Sequence, residues 1–306
     1  MIIFVLLTSL WSQENIAEGL SGDALVDYLR TNYKTSSTLG YNAARDELYA
    51  NVDRVSGQVK GIYTNYAVTL PDGVDPSTYL YENGMNCEHV WPQSLYSGSE
   101  PMKSDMHHLR PCKDNVNSSR GNKPFGEILD SQTDHWYWQS QNSSNIPSSN
   151  INEYSESSST YFEPREDRKG DIARTIFYFF TMYPNEADDS FFHSQKEQMR
   201  MWHEQDPSNN AEVIRTWSIA GYQQNKPNPF ILDESLIVRA YFPEDMMMAG
   251  DVNGDSILNI LDVVTMVGFI MGTTELNPPY DEAADMNEDG IVNVLDVVTL
   301  VNFILS

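Results

Sequence analysis

Apolar residues recur at helical spacing in "IAEGLSGDALVDYLRTNY", and the pattern predicts a helix over residues 13 to about 35, with Ser21 and Asp23 as candidate cap and first-turn acid. A second helix is expected over residues 41–53. "VKGIYTNYAVTL" is rich in β-branched and aromatic residues and predicts one strand, closed by the turn signal Pro71, Asp72, Gly73. The Ser- and Asn-rich stretch 140–160 has no periodicity and reads as a long loop. "DIARTIFYFFTMY" carries apolar residues around most of its circumference, as a buried helix does. "NNAEVIRTWSIAGYQQ" is another helix. Several helices with few strands point to an α+β domain ending near residue 242, and "PEDMMMAG" then marks a linker.

The first residues, "MIIFVLLTSLWSQ", form an apolar run too short to span a bilayer, followed by small and polar residues. Residues 1–12 are therefore expected to be a signal peptide and the protein to be exported, either secreted or held in the periplasm or at the cell surface, although the usual positive n-region is missing. No other stretch is apolar enough to predict a membrane span. At 306 residues the chain is long enough for two domains. Its formal net charge of −25 argues at first sight against a polyanionic ligand. The charge is unevenly placed: ten acidic and no basic residues lie from 250 onward, leaving 34 acidic and 19 basic before it. Cys87 and Cys112 are the two cysteines; export would permit a disulfide, and spacing does not decide whether they pair.

The tail is a repeat. "DVNGDSILNILDVVTMVGFIMG" and "DMNEDGIVNVLDVVTLVNFILS" match at a spacing of 34 residues. Oxygen-bearing side chains fall at loop positions 1, 3, 5 and 12: Asp251, Asn253, Asp255 and Asp262, then Asp285, Asn287, Asp289 and Asp296. Hard donors at those offsets wrap Ca²⁺, with the position 7 carbonyl of Ile257 or Ile291 as a further ligand, so two Ca²⁺ are expected. Gly290 fills the sharp-turn position of the second loop, where the first has Ser256. The repeat resembles a type I dockerin over residues 250–306, which implies a small all-α module with two EF-hand-like loops and a cohesin-like protein partner. Ile260, Leu261, Val294 and Leu295 are apolar where cellulosomal dockerins often carry hydroxyl residues, a departure from the standard partner's requirements.

The candidate chemistry lies in "NCEHVWPQSL" and "SDMHHLRPCKDNVNSSRGNKPFGEI". The first sets Glu88 beside His89; neighbours converge on one centre only where the backbone bends, and Pro92 makes a bend plausible. The second gathers His107, His108, Arg110, Lys113, Asn117, Arg120, Asn122 and Lys123 into a local basic and amide-rich cluster. Phosphodiester hydrolysis needs these parts: a base that titrates near neutrality, a divalent cation, and donors that hold the phosphate in line. Together with "KGDIARTIFYF" and "NPF" at 228–230, these segments resemble the bacterial endonuclease I family of ββα-metal, or His-Me finger, nucleases over most of residues 20–242. The resemblance implies a ββα-metal core surrounded by helices in a catalytic domain of residues 13–243, a linker at 244–249 and the dockerin-like domain at 250–306. It implies His89 as the general base and Glu88 and Asn117 as ligands of one Mg²⁺ or Mn²⁺, with DNA, and RNA as a second candidate, as substrate.

In related nucleases an Asn steadies the base; His108 stands in that place and is the base-orienting candidate. Arg110 and Arg120 are candidates to contact the scissile or flanking phosphate. Asn122 and Phe125 are expected to shape a turn, and His135 to be structural. Trp136 and Trp138 are candidates for base stacking or for the core. Two competing readings remain open at this point. One is a zinc hydrolase liganded by His89, His107 and His108, against which adjacent histidines count because they cannot easily chelate one tetrahedral ion. The other is a non-catalytic scaffold whose working part is the calcium-binding tail.

Overall fold

The computed structural model describes residues 14–246, 248–255, 257–276 and 280–305. The expected signal peptide and Ser256 lie outside the described residues. Two compact units form, one built on residues 29–234 and the other on 15–28 with 235–306.

In chain order, α1 (Gly22–Tyr33) is followed by α2 (Tyr41–Glu47), which runs on into a π-helical turn, Leu48–Val52. Strands β1 (Arg54–Val55), β2 (Gln58–Lys60) and β3 (Ala67–Thr69) pair antiparallel in that order. Helix α3 (Pro76–Glu82) begins on Asp75, whose side chain accepts from Thr78 N at 2.8 Å. Then comes the central hairpin of β4 (Met85–His89) and β5 (Leu109–Lys113), with α4 (Asp114–Arg120) directly after it. Strands β6 (His135–Trp138), β7 (Gln141–Ser143), β8 (Ser155–Ser157) and β9 (Phe162–Glu163) make an antiparallel sheet in the order β7-β6-β8-β9. Helices α5 (Lys169–Met182), α6 (Asp189–His193), α7 (Lys196–Gln205), α8 (Asn210–Ala220) and α9 (Pro229–Leu232) complete the unit.

Three expectations change. The first helix starts at Gly22, because the chain turns through the left-handed backbone of Ala17 and Gly19. The single strand expected over 59–70 is a hairpin: β2 and β3 are joined by a turn in which Asn65 adopts φ 55° and donates to Gly61 O at 3.0 Å. The expected loop 140–160 contains β7 and β8, whose short, Ser-rich sequences carry no apolar alternation to announce them. The buried helix is present as α5, with every residue buried except Phe180. The helix expected from "NNAEVIRTWSIAGYQQ" is α8, opened by a capping box between Asn209 and Glu212.

α5 fixes the hairpin's far end. Trp91 stacks on Phe179 at 4.9 Å, and His108 packs against the same ring at 4.7 Å. Tyr178 and Tyr183 both donate to Asp105 Oδ2, while Asp105 Oδ1 accepts from His107 N and Gln223 Nε2. A fully buried carboxylate with four donors meets the condition for leaving water. On the other side the hairpin's Met85, Cys87 and Leu109 pack with Leu48, Tyr49, Val59, Val68 and Leu80.

The second unit contains α10 (Leu236–Tyr241), α11 (Ile260–Ile270), α12 (Tyr280–Ala283) and α13 (Val294–Leu305). Arg239 donates to the carbonyls of Ile16, Ala17 and Leu20, which ties the chain before α1 to α10. Val252, Met266, Ala284 and Leu300 are the centre of a small core in the tail. Its two loops share several bonds at matching positions. Asp255 N donates to Asn253 Oδ1 and Ile257 N to Asp255 Oδ1; Asp289 N donates to Asn287 Oδ1 and Ile291 N to Asp289 Oδ1. Asp262 and Asp296, both fully buried, accept from Asn253 N and Asn287 N respectively. Asp251 accepts from Gly254 N, and Asp285 from Gly290 N, where Gly290 takes the left-handed φ of 80°.

Candidate active site

The hairpin register decides what each side chain can do. Glu88 lies opposite Arg110 and Asn86 opposite Cys112, while His89 lies opposite Leu109 and Cys87 opposite Pro111. Side chains alternate along a strand, so Glu88 and His89 leave opposite faces of the hairpin. The ladder is regular through His89, and the bend expected at the pair comes after it. Pro92, at φ −60° and ψ 134°, starts a single 3₁₀ turn, Gln93–Leu95. Cys87 and Cys112 likewise point to opposite faces, and both are free, buried thiols. Burial pushes the Cys87 thiol up to about 12.

The two faces are joined at the unpaired edge of β4, where α4 lies. Asn117 Nδ2 donates to Cys87 O at 3.2 Å and to Asn86 Oδ1 at 2.7 Å. Arg120 donates to Val90 O at 2.6 Å and to His89 O at 3.5 Å. One turn of α4 separates these residues, so a single helix face satisfies the strand's outward carbonyls. The turn ends at Gly121, φ 55°. With its amide nitrogen bound twice to the hairpin, Asn117 has a side-chain oxygen that could serve as a hard donor to a cation.

Glu88 is buried against Tyr63 and Arg120. Its Oε1 accepts from Tyr63 OH at 2.8 Å and forms an ion pair with Arg120 Nε at 3.5 Å. Burial raises its carboxyl, while Arg120 and the Tyr63 hydrogen bond pull the other way.

His89 is held at both nitrogens. Nε2 lies 3.1 Å from Lys103 O, and since a carbonyl only accepts, Nε2 carries the proton. Nδ1 is then the basic nitrogen, and Gln93 Nε2 donates to it at 3.0 Å. Tyr41 and His108 pack on the ring at 5.2 and 5.3 Å. Burial and the neighbouring His108 hold the imidazole down to about 3, so it is neutral at pH 7.

The remaining candidates are placed as follows. His108 packs against His89 without a hydrogen bond to it; its Nε2 meets Met102 O at 2.6 Å, and Lys103 O and Gln93 hold the His89 ring instead. Arg120 has 1% exposure and lies over the Phe125 ring at 4.6 Å, so its guanidinium positions Glu88 and the strand edge and does not face a phosphate. Arg110 turns to Asp171 at 3.6 Å, into a separate cavity. His107 bonds Lys226 O at 2.8 Å. His89, His107 and His108 each bond a separate backbone carbonyl, so the zinc reading has no shared ligand set. His135 is exposed, Trp136 is buried, and Trp138 donates to Glu153 at 3.0 Å.

Tyr63, Asn86, Gln93 and the Lys103 carbonyl were not among the expected site residues. Gln93 could have been found, because it sits in the Glu-His segment directly after Pro92, at the start of the 3₁₀ turn. Tyr63 is remote in sequence, and a carbonyl leaves no trace in residue identity.

The hairpin and the helix on its edge thus carry a neutral imidazole, a buried carboxylate and a carboxamide. The chain belongs to the Endonuclease I family, whose model matches residues 21–234, and it is a nuclease that hydrolyses phosphodiester bonds. The non-catalytic scaffold reading is set aside with that membership. Residues 249–305 match the Dockerin type I domain. An "Extracellular ribonuclease" of Bacillus subtilis (strain 168) is 28% identical over 240 residues, covering 70% of this chain and 73% of the relative. A protein of the same description from Bacillus amyloliquefaciens is 30% identical over 163 residues, 48% of this chain and 50% of the relative. No helix among the described residues is long and apolar enough to cross a membrane.

Proposed function

We propose that the protein is an exported, metal-dependent endonuclease of little sequence specificity, with an amino-terminal catalytic domain and a calcium-binding tail that tethers it to a cohesin-like module. RNA is a substrate beside DNA, in keeping with the description of both relatives. The observation that supports this reading most is the anchoring of Asn117 on the open edge of β4, beside the strand that carries Glu88 and His89. Glu88 and the Asn117 side-chain oxygen are hard donors suited to Mg²⁺ or Mn²⁺, which keeps several waters and needs few protein ligands. When bound, the ion neutralises charge that builds on phosphorus and on the leaving oxygen.

His89 Nδ1 takes the proton of the attacking water as Gln93 gives way, and the Lys103 carbonyl holds the ring in the required tautomer throughout. Arg120 and Tyr63 keep the Glu88 carboxylate in place. In the tail, Asp262 and Asp296 are fully buried in a segment without Lys or Arg, which favours a cation at each loop. The ligands there are Asp251, Asn253, Asp255, Ile257 O and Asp262, and Asp285, Asn287, Asp289, Ile291 O and Asp296.

The test is nicking of supercoiled plasmid and cleavage of a single-stranded RNA in Mg²⁺ and in EDTA, beside His89→Ala. Loss of a proton-accepting group lowers the rate by about 10²–10⁴. If the wild type is inert in Mg²⁺ and Mn²⁺, or if His89→Ala cleaves as fast, the reading fails.

A further inference from the structure

Two arginines whose chemistry suits a phosphate are committed elsewhere: Arg120 to Glu88 and Val90 O, and Arg110 to Asp171. The His89 side of the hairpin carries two other cations. Tyr41, the first residue of α2, lies against the His89 ring at 5.2 Å. The Arg45 guanidinium stands over the Tyr41 ring at 4.5 Å, and the Lys103 ammonium at 5.3 Å. Arg45 is one helical turn beyond Tyr41, and Lys103 is the residue whose carbonyl meets His89 Nε2, so α2 and the β4–β5 connection bring both charges to one ring. Burial and His108 lead in holding the His89 imidazole down, and Lys103 and Arg45 act in the same direction, which puts both within electrostatic reach of it.

Neither cation is neutralised. Arg45 donates to Asn42 Oδ1 at 3.0 Å, and among the described residues neither it nor Lys103 forms an ion pair with a carboxylate. Two nearby acids are engaged otherwise: Glu100 accepts from Ser104 Oγ, and Asp75 from Thr78 N. An aromatic face holds a cation through its quadrupole and leaves the charge available to an anion, which a carboxylate partner would not. Both side chains are half-buried, and Gln93, which donates to His89 Nδ1, is exposed, so this side of the hairpin is open to solvent. In a chain of net charge −25, two unpaired cations beside the imidazole give a polyanion a place to approach. We propose that Arg45 and Lys103, seated on Tyr41, grip a backbone phosphate of the nucleic-acid strand on the His89 side of the hairpin. The inference rests on the nuclease reading above and names the side chains that hold the substrate there. A contact of this kind fixes the strand's register without reading its sequence.

The experiment uses the full chain and fluorescein-labelled 12-nucleotide DNA strands, one of thymine and one of adenine, in EDTA, with binding followed by anisotropy from low to moderate salt. Arg45→Gln and Lys103→Gln should each weaken binding by roughly threefold or more, equally on both strands, and flatten the slope of log K against log salt by about 0.7. Lys103→Arg, which keeps the charge, should keep the wild-type slope. Circular dichroism checks that the variants fold; if Arg45→Gln does not, the two Lys103 variants decide. Unchanged affinity in the folded Gln variants overturns the contact, as does absence of binding by the wild type at low salt. A loss of affinity at the wild-type slope overturns it too, since the side chains would then only shape the site. Nicking by the wild type in Mg²⁺, run in parallel, separates the two ideas: activity with wild-type slopes in the variants removes the contact and leaves the nuclease, whereas inertness removes the nuclease reading itself.

Discussion

Single side chains carry more of this site than their spacing suggests. Tyr63 is hydrogen-bonded to the carboxylate expected to hold the metal. Outer partners of this kind typically change metal affinity or activity by about 10–100-fold. Tyr63→Phe should therefore raise the Mg²⁺ concentration needed for half-maximal nicking by about tenfold, and an unchanged Mg²⁺ titration would remove Tyr63 from the site. Arg120 is a case of structure overriding chemistry. Its residue type suits a phosphate, yet burial commits its guanidinium to Glu88, Val90 O and the Phe125 ring. Replacing it by Met leaves Glu88 buried without its cation, a loss of about 3–5 kcal/mol for a broken buried pair. Urea denaturation would show it, and a midpoint equal to wild type would mean that the pair contributes nothing.

At the scale of elements, the hairpin is the deciding unit. The alternation of β4 and β5 sends Cys87 toward the aliphatic core and Cys112 to the opposite face, so two cysteines that lie close in the fold cannot pair. Thiol titration of the unfolded, unreduced protein should give two free thiols per chain, and reductant should leave the melting temperature where it was. One mole of disulfide per mole would require a different register. The ββα arrangement was legible only through the family resemblance that the segments around Glu88-His89 and Asn117 carry, not through any periodicity of their own. The sheet containing β7 and β8 was not, since a strand of three polar residues owes its existence to partners such as Trp136 and Tyr137, not to its own sequence.

For the whole molecule the buried histidines and the buried glutamates act on stability in opposite directions, since burial raises the carboxyls of Glu156 and Glu212 to about 7 and that of Glu163 to about 8. Burial holds His107 and His108 down to about 4, below the ordinary 6.5 of an unfolded chain. The unfolded state then binds more protons on these two rings between those values, so their contribution is full above pH 6.5 and falls on acidification toward pH 4. The slope is up to about 1.4 kcal/mol per pH unit for each group. Urea midpoints at pH 7 and 4.5 should show His107→Gln losing less stability on acidification than wild type; an equal change in both would mean that the His107 ring does not stay neutral. Calcium acts on the tail by a different route. Binding to the folded loops alone stabilises by about 2.7 kcal/mol at a hundredfold excess over Kd. Titration calorimetry should find two Ca²⁺ sites, reduced to one by Asp296→Ala, and no heat with either protein would leave the loops without their cation.

What the sequence alone determined is the chemistry that is local. The loop donors recur at a spacing of 34 residues, a histidine neighbours a carboxylate, and the buried helix is apolar around most of its circumference, because each of these rests on residue types at short, fixed offsets. Tertiary structure decided everything that depends on which face a side chain leaves and what meets it there. It sent Glu88 and His89 to opposite faces, set Asn117 on the edge between them, buried Arg120 and left Arg110 in a cavity. It also gave the orienting role to a backbone carbonyl. Those outcomes follow from strand pairing and packing across tens of residues, which no spacing along the chain encodes.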